Sequence, residues 1–129
     1  MTVHIKKHAG ITTGKKIAAI TAWLEEKKAS DLLALDLSSQ YAFTEGIIIA
    51  SASSIRHAQG MADFLLEQCK SAHYEFLRME GYQAGRWILI DLNDVVVCLF
   101  QQEERLLYAL EELWPKAPQL YGSSRQDTL

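Results

Sequence analysis

The first half of the chain contains two apolar stretches of the length that β-strands have. Residues 32–37 read LLALDL, and residues 46–52 read GIIIASA, which is apolar enough throughout for the middle of a sheet. A third, shorter strand is expected at Tyr74–Arg78. A segment with apolar residues at three- and four-residue spacing, as in a helix, precedes the first strand, and another separates the second from the third. The pattern therefore predicts that helices and strands alternate along the chain.

Two other segments carry apolar residues at helical spacing. The first is expected to run over Gly14–Lys28, with Thr13 as its N-cap. The second follows a cap at Ser53 or Ser54 and keeps its helical spacing to about Ala72. Each segment is therefore predicted to be a helix that packs one apolar face on the sheet.

Residues 81–114 form the most informative segment, because they predict a β-hairpin followed by a helix. If Asn93-Asp94 is a two-residue loop, the flanking strands divide their side chains between two faces. One face is wholly apolar and is expected to be core; it consists of Ile88, Ile90, Leu92, Val95, Val97 and Leu99. The other face mixes an aromatic, a carboxylate and a thiol, so we expect a recognition surface there. It consists of Trp87, Leu89, Asp91, Val96, Cys98 and Phe100.

The helix after the hairpin is expected to bury leucines and to expose charge. Its buried stripe is predicted at Leu106, Leu107, Leu110, Leu113 and Trp114. Tyr108 is predicted on the opposite side, beside Arg105 and several glutamates, and aromatic and arginine side chains are enriched where proteins bind proteins. Pro115 ends this helix because proline has no backbone N–H for the next turn.

Together these elements predict an α/β fold in which helices pack on a mixed sheet of about five strands. The 129 residues, 49% of them hydrophobic, are enough for one core. We expect residues 1–30 to be an N-terminal helical segment of that domain and residues 31–115 to be its α/β core. Residues 116–129 are expected to be a flexible tail.

The composition favours a cytoplasmic protein. No apolar run is long enough to span a membrane, so no membrane partner is expected. The first ten residues, MTVHIKKHAG, lack the apolar core of a signal peptide. Cys69 and Cys98 do not amount to a disulfide framework, and reduced thiols are expected.

Charge is distributed unevenly along the chain. Residues 1–28 contain six lysines and two glutamates, a net charge of +4, whereas residues 85–114 contain two arginines and six carboxylates, a net charge of −4. An acidic surface that also carries aromatics repels phosphates and favours a basic protein partner, so DNA is not an expected partner. The basic N-terminal segment is a weak signal for RNA.

The sequence offers no convincing catalytic site. The serines of residues 51–54 follow a strand and open a helix, but they lack the glycines of a phosphate-binding loop and are explained by helix capping. Asp91 and Asp94 flank a hairpin, where Asp94 most simply supplies turn chemistry, and they do not make a two-metal site. We therefore expect no catalytic residue, no metal and no cofactor, and we expect that the protein is not an enzyme.

Four segments, in order, resemble one protein family. They are ALDLSSQYAFTEGIIIASASSIRHAQGMADFL, the Glu80-Gly81 pair, WILIDLNDVVVCLF and EERLLYALEELW. From about Leu33 to Trp114 the chain resembles the ribosomal silencing factors (RsfS, also called Iojap-like proteins). The resemblance implies a nucleotidyltransferase-like topology without the metal carboxylates of that active site.

The resemblance also implies a function. Members of this family bind the large ribosomal subunit through its protein numbered fourteen, obstruct joining of the small subunit and so repress translation, and they are linked to large-subunit biogenesis. Carried over by position, the family's surface motif implies these partner-binding residues: Glu80, Trp87, Asp91, Asp94, Arg105, Tyr108 and Glu111. Trp114 belongs to the same motif but is expected to be core. Cys98 stands where the family usually has histidine.

Within this motif, Trp87 and Tyr108 are expected to be apolar anchors, and Asp91 to meet lysine or arginine of the partner. A homodimer off the ribosome is also expected to be feasible, since an exposed aromatic face favours association. Two alternatives remain open at this point: a dimeric adaptor for another basic protein, and a nucleotidyltransferase-like enzyme.

Overall fold

The computed structural model describes the backbone of residues 3–40 and 42–122, and the side chains of residues 13–40 and 42–122. Within these ranges the helices are α1 (Val3–Glu26), α2 (Ile55–Ser71) and α3 (Gln102–Tyr108), and a 3₁₀ helix (Leu110–Leu113) follows α3. The strands are β1 (Ser30–Asp36), β2 (Gly46–Ala52), β3 (Arg78–Glu80), β4 (Trp87–Asp91), β5 (Val95–Gln101) and β6 (Gln119–Tyr121).

The strands form one sheet in the order β3-β4-β5-β2-β1-β6. Its central pair, β2 and β5, is parallel, and each of the other neighbouring pairs is antiparallel. All seven residues of β2 are buried, as the continuous apolar pattern predicted for a central strand. The predicted mixed α/β fold is therefore confirmed, with short strands of three residues at both edges of the sheet.

Helices α1 and α2 cover one face of the sheet. The apolar side of the β4-β5 hairpin lies beneath them, fully buried as predicted, together with Ile20 and Leu24 of α1. The predicted start of α2 is confirmed, because the side chain of Ser54 accepts a hydrogen bond from the backbone N–H of His57. This layer is the main hydrophobic core.

The opposite face of the sheet is covered over only part of its width. Side chains of β1, β2 and β5 form a second core with Ala117, against which Leu110 and Trp114 pack. By contrast, the side chains that β4 contributes to this face, Trp87, Leu89 and Asp91, are only half-buried. One half of this face, at β3 and β4, is therefore open.

The prediction that Thr13 caps the first helix was wrong. Helix α1 already begins at Val3, so Thr13 lies inside it. The Thr13 hydroxyl donates a hydrogen bond over 2.6 Å to Oδ2 of Asp94 instead of capping the helix. The sequence pattern placed the start too late because residues 3–12 have no clear apolar period.

Two further boundaries differ from the sequence predictions. The third strand lies at Arg78–Glu80 and not at Tyr74–Arg78. Tyr74 belongs to the turn after α2, where it donates its backbone N–H to the carbonyl of Cys69 and its ring lies 5.9 Å from that of Trp23. Residues 119–121 pair with β1 as β6, so the predicted tail was wrong for them. The prediction was also wrong for Ala117, which is buried, and for Pro118, whose carbonyl accepts a hydrogen bond from Asp36. Residues 123–129 of the predicted tail lie outside the described residues.

Candidate partner-binding surface

The β4-β5 hairpin has the register that its sequence predicted. Leu92 donates its backbone N–H to the carbonyl of Val95 over 2.9 Å, and Trp87 lies opposite Phe100. Asn93 takes up the positive φ that a two-residue loop requires, with φ of 80°. The hairpin thereby sends Trp87 and Asp91 to the open half of the sheet face.

The predicted recognition face of the hairpin is only partly a surface. Val96, Cys98 and Phe100 are buried, so for these three the prediction was wrong. They are buried because α3 and the segment after it fold back over β5, which the hairpin sequence alone does not reveal. Trp87 and Asp91 of β4 remain half-exposed.

Three aromatic rings form a stack at the boundary between the covered and open halves. The ring centroid of Trp87 lies 4.8 Å from that of Phe100 and 5.0 Å from that of Tyr108. Tyr108 is 52% exposed, so its predicted position on the wet side is confirmed. The ring centroids of Phe100 and Tyr108 are themselves 6.4 Å apart, so the three rings form a triangle. Tilted rings at these distances attract one another, which holds Trp87 against one buried and one exposed ring.

A glycine holds the start of β4 in place. Gly81 has φ of 81°, and a Cβ at this position would lie 2.1 Å from the carbonyl oxygen of Trp87. Only glycine tolerates both the conformation and the close approach. The Glu80-Gly81 pair in the sequence therefore marks the backbone contact that positions Trp87.

Carboxylates and an arginine share the open half of the face. Arg78 pairs with Glu80 over 2.8 Å and with Asp91 over 3.1 Å. Glu80 and Asp91 thus lie on the same face of the sheet as Trp87, as their assignment to one surface requires. Arg78 was not among the predicted surface residues. Residues two apart on a strand point to the same face of the sheet, so the correct bounds of β3 would have placed Arg78 on the face of Glu80.

Asp94 does not belong to this surface. Its carboxylate is buried and receives hydrogen bonds of 2.6 Å from the ammonium of Lys16 and 2.6 Å from the hydroxyl of Thr13. Lys16 is itself 5% exposed and also donates to the carbonyl of Leu92. Asp94 therefore joins the hairpin turn to α1 and faces away from the open half.

The helix after the hairpin is shorter than predicted, and the side that it buries is not the predicted one. The chain enters the left-handed region at Ala109, with φ of 41° and ψ of 48°, so α3 ends at Tyr108 and a 3₁₀ helix begins. The predicted buried stripe is wrong for three leucines, which are 72%, 74% and 65% exposed: Leu106, Leu107 and Leu113. We call these three residues the leucine ridge. Leu110 and Trp114 pack against the second core as predicted.

Arg105 is the buried residue of α3, although the sequence pattern placed it on the exposed side. Its guanidinium donates to the hydroxyl of Ser51 over 2.9 Å and to the carboxylate of Glu111 over 3.2 Å. At the exposed start of α3, Arg86 forms ion pairs with Glu103 and Glu104, and its hydrogen bond holds the pKa of Glu104 below the ordinary value.

The two cysteines have the environment of inert thiols. Both are buried and free, and burial raises the pKa of Cys69 and of Cys98 to about 11. In the described part of the chain, no three histidine, cysteine or carboxylate side chains are grouped closely enough to hold a metal ion. No described helix is long and apolar enough to cross a membrane.

Comparison with known proteins connects this chain to the ribosome. Residues 11–128 match the family described as "Ribosomal silencing factor during starvation". A ribosomal silencing factor of Bacillus subtilis is 38% identical over 103 residues, which cover 80% of this chain and 86% of that protein. A mouse protein named for mitochondrial assembly of the ribosomal large subunit is 28% identical, over 76% of this chain and 44% of its own length.

Solved structures share the fold. A crystal structure of a Bacillus halodurans protein superimposes with a TM-score of 0.70 at 34% identity, covering 78% of this chain and 94% of that one. A Chromobacterium violaceum structure has a TM-score of 0.75 at 26% identity and covers 89% of this chain and 98% of its own.

Proposed function

Because this chain belongs to the family of ribosomal silencing factors, we propose that it binds the large ribosomal subunit in the cytoplasm and blocks joining of the small subunit. Repression of translation follows, since unjoined subunits cannot translate. The name of the mouse relative, which refers to large-subunit assembly, supports the large subunit as the partner and a second role in its biogenesis. The role is regulatory, and we assign no catalytic residue.

The observation that carries the proposal is the combination of exposed apolar and acidic side chains around α3. The leucine ridge and Tyr108 expose four large apolar side chains within eight residues of sequence. Glu103 and Glu112 are exposed beside them. Apolar contact area surrounded by carboxylates suits a basic protein that has an apolar centre.

The proposed contact within the large subunit is its protein numbered fourteen, as the family resemblance implies. Trp87 and Tyr108 would be the anchors, because aromatic residues of this kind dominate the energy of interfaces. Asp91 and Glu80 would meet basic side chains of that protein. Asp94, Arg105 and Glu111 have partners inside the protein, and we propose that they support the surface instead of touching the partner.

Sucrose-gradient sedimentation of purified subunits tests this function. At a magnesium concentration that permits joining, we expect the protein to travel with the large subunit and the joined peak to fall as protein is added. If the protein stays at the top of the gradient, the proposal is wrong, and an adaptor for another basic protein becomes the better hypothesis.

A pair of tryptophan variants tests the surface itself. Trp87→Ala should weaken binding to the large subunit by about 2 kcal/mol or more, because it removes a central anchor. Trp23→Ala is the matched control, since Trp23 is also half-buried but lies on α1, behind the opposite face of the sheet. Equal affinity of the two folded variants would exclude Trp87 as an anchor.

The leucine ridge also supports a second candidate, a homodimer formed through the same surface when no ribosome is bound. Exposed apolar patches of this kind favour self-association. Sedimentation equilibrium should then show a dimer that dissociates when large subunits are added, because the two partners compete for one surface. A dimer that stays intact on the subunit would contradict a shared surface.

A further inference from the structure

Helix α3 buries a charged side chain and exposes apolar ones, which is the reverse of an ordinary amphipathic helix. Its arginine at position 105 is 8% exposed, while its neighbours Leu106 and Leu107 are 72% and 74% exposed. The helix has seven residues and no side-chain hydrogen bond at its N-cap. A helix this short is marginal on its own, so its orientation depends on tertiary contacts.

The side chain that α3 buries is that of Arg105, and its guanidinium makes inward polar contacts. Nη1 donates to the hydroxyl of Ser51, which is 1% exposed near the end of β2, and Nε donates to Glu111 in the 3₁₀ helix. The guanidinium is planar and has several N–H donors in fixed directions, so it can hold two acceptors at once. The ammonium of a lysine has no such fixed directions and would hold them less well. One side chain therefore joins α3 to the sheet and to the segment that follows it.

The exposed surface depends on where this contact holds α3. Tyr108 is the last residue of α3, and its ring lies 5.0 Å from that of Trp87. Directly after it, Ala109 turns the chain in the left-handed region, and the link from Arg105 to Glu111 spans this turn. A shift of α3 would separate the two rings and move the leucine ridge.

We infer that Arg105 is a positioning residue of the partner-binding surface: buried beneath α3, it holds Tyr108 against Trp87 and turns the leucine ridge outward without touching the partner. This assignment differs from the expectation that Arg105 is itself a partner-binding residue. Its link to ribosome binding rests on the proposed function, whereas its effect on the aromatic stack does not.

The test uses Arg105→Met and Arg105→Lys in the full chain. Trp23→Phe and Trp114→Phe are added to every variant, so that Trp87 is the only tryptophan left and its fluorescence is measured alone. We expect Arg105→Met to shift Trp87 emission to longer wavelength, because Tyr108 no longer covers the ring. Affinity for the large subunit should fall at least tenfold, with an unchanged dependence on salt. Arg105→Lys should restore part of the emission and part of the affinity. Arg56 is an exposed arginine on α2, so Arg56→Met should change neither the emission nor the affinity.

Three results would overturn the inference. Unchanged Trp87 emission in Arg105→Met would show that the guanidinium does not position the stack. Loss of affinity with a flattened salt dependence and unchanged emission would indicate direct contact with the partner. A shifted emission with full affinity would show that α3 is not part of the binding surface.

A second variant covers the case in which Arg105→Met does not fold. Ser51→Ala removes one acceptor of the guanidinium and keeps the charge, so the same emission shift should appear with smaller amplitude; no shift would overturn the inference. The emission measurements need no ribosome, so they stand even if Trp87→Ala binds normally and the proposed function fails.

Discussion

At the scale of single residues, two aspartates of one hairpin have different roles. Asp91 lies on the open half of the sheet and pairs with the exposed Arg78, whereas Asp94 is buried against Lys16 and Thr13. The sequence predicts the turn but not this difference. Which carboxylate turns inward is decided by the approach of α1, a contact between residues about eighty positions apart.

Replacing Asp94 by alanine should destabilise the fold strongly. The substitution leaves the buried ammonium of Lys16 without its carboxylate, and removing one partner of a buried ion pair costs about 3–5 kcal/mol. Urea unfolding measures this loss as a lower transition midpoint.

Glu103→Ala is the control for the Asp94 variant. It breaks an ion pair whose glutamate side chain is 83% exposed, and pairs of this kind contribute about 1 kcal/mol or less. If the two variants unfold at the same urea concentration, the buried pair does not anchor α1 to the hairpin.

At the scale of elements, the sequence predicted those whose pattern is local. Strand β2, the hairpin and the start of α2 follow from continuous or periodic apolar residues and from the Ser54 cap. Helix α3 could not be predicted in the same way. Its leucine spacing extends across Ala109, where the left-handed turn breaks the helical phase, and a guanidinium occupies the buried side.

This orientation of α3 predicts a separation between stability and binding. Leu107→Ser should change the free energy of unfolding by no more than about 0.5 kcal/mol, because the side chain is already in water. Its affinity for the large subunit should fall about tenfold, or about 1.4 kcal/mol, because the ridge loses apolar contact area. Urea unfolding and subunit binding measure the two effects.

Leu110→Ser makes the reverse comparison, since Leu110 packs against the second core. It should lower stability clearly more than Leu107→Ser does. If instead Leu107→Ser is the more destabilising of the two, the leucine ridge is buried, as the sequence pattern alone suggested.

At the scale of the whole molecule, the two faces of the sheet differ in how far other elements cover them. Helices α1 and α2 complete the main core on one face, while the other face is left partly open beside α3. Charge follows this division except at Asp94, which is buried against Lys16 of α1. Asp91 lies on the open half, and the exposed Glu103 and Glu112 belong to α3 and the 3₁₀ helix. The sequence revealed the charge bias, and the fold shows which surface carries it.

Reversing one charge on the open half should slow association with the large subunit. Asp91→Lys weakens attraction to a basic partner, and the effect should be largest at low salt, because screening acts beyond about 10 Å at 0.1 M ionic strength. Stopped-flow association rates at several salt concentrations measure it. Glu67→Lys makes the same change of charge on α2, behind the other face, and should leave the rate nearly unchanged.

The short strands at both edges of the sheet bear on the solubility of a chain that exposes so many leucines. Edge strands offer unpaired backbone groups to other molecules, and long flat edges are a route to aggregation. Here β3 and β6 have three residues each, so neither offers a template long enough for sheet-to-sheet growth. Concentrated protein should therefore associate reversibly through side chains and not convert into fibres.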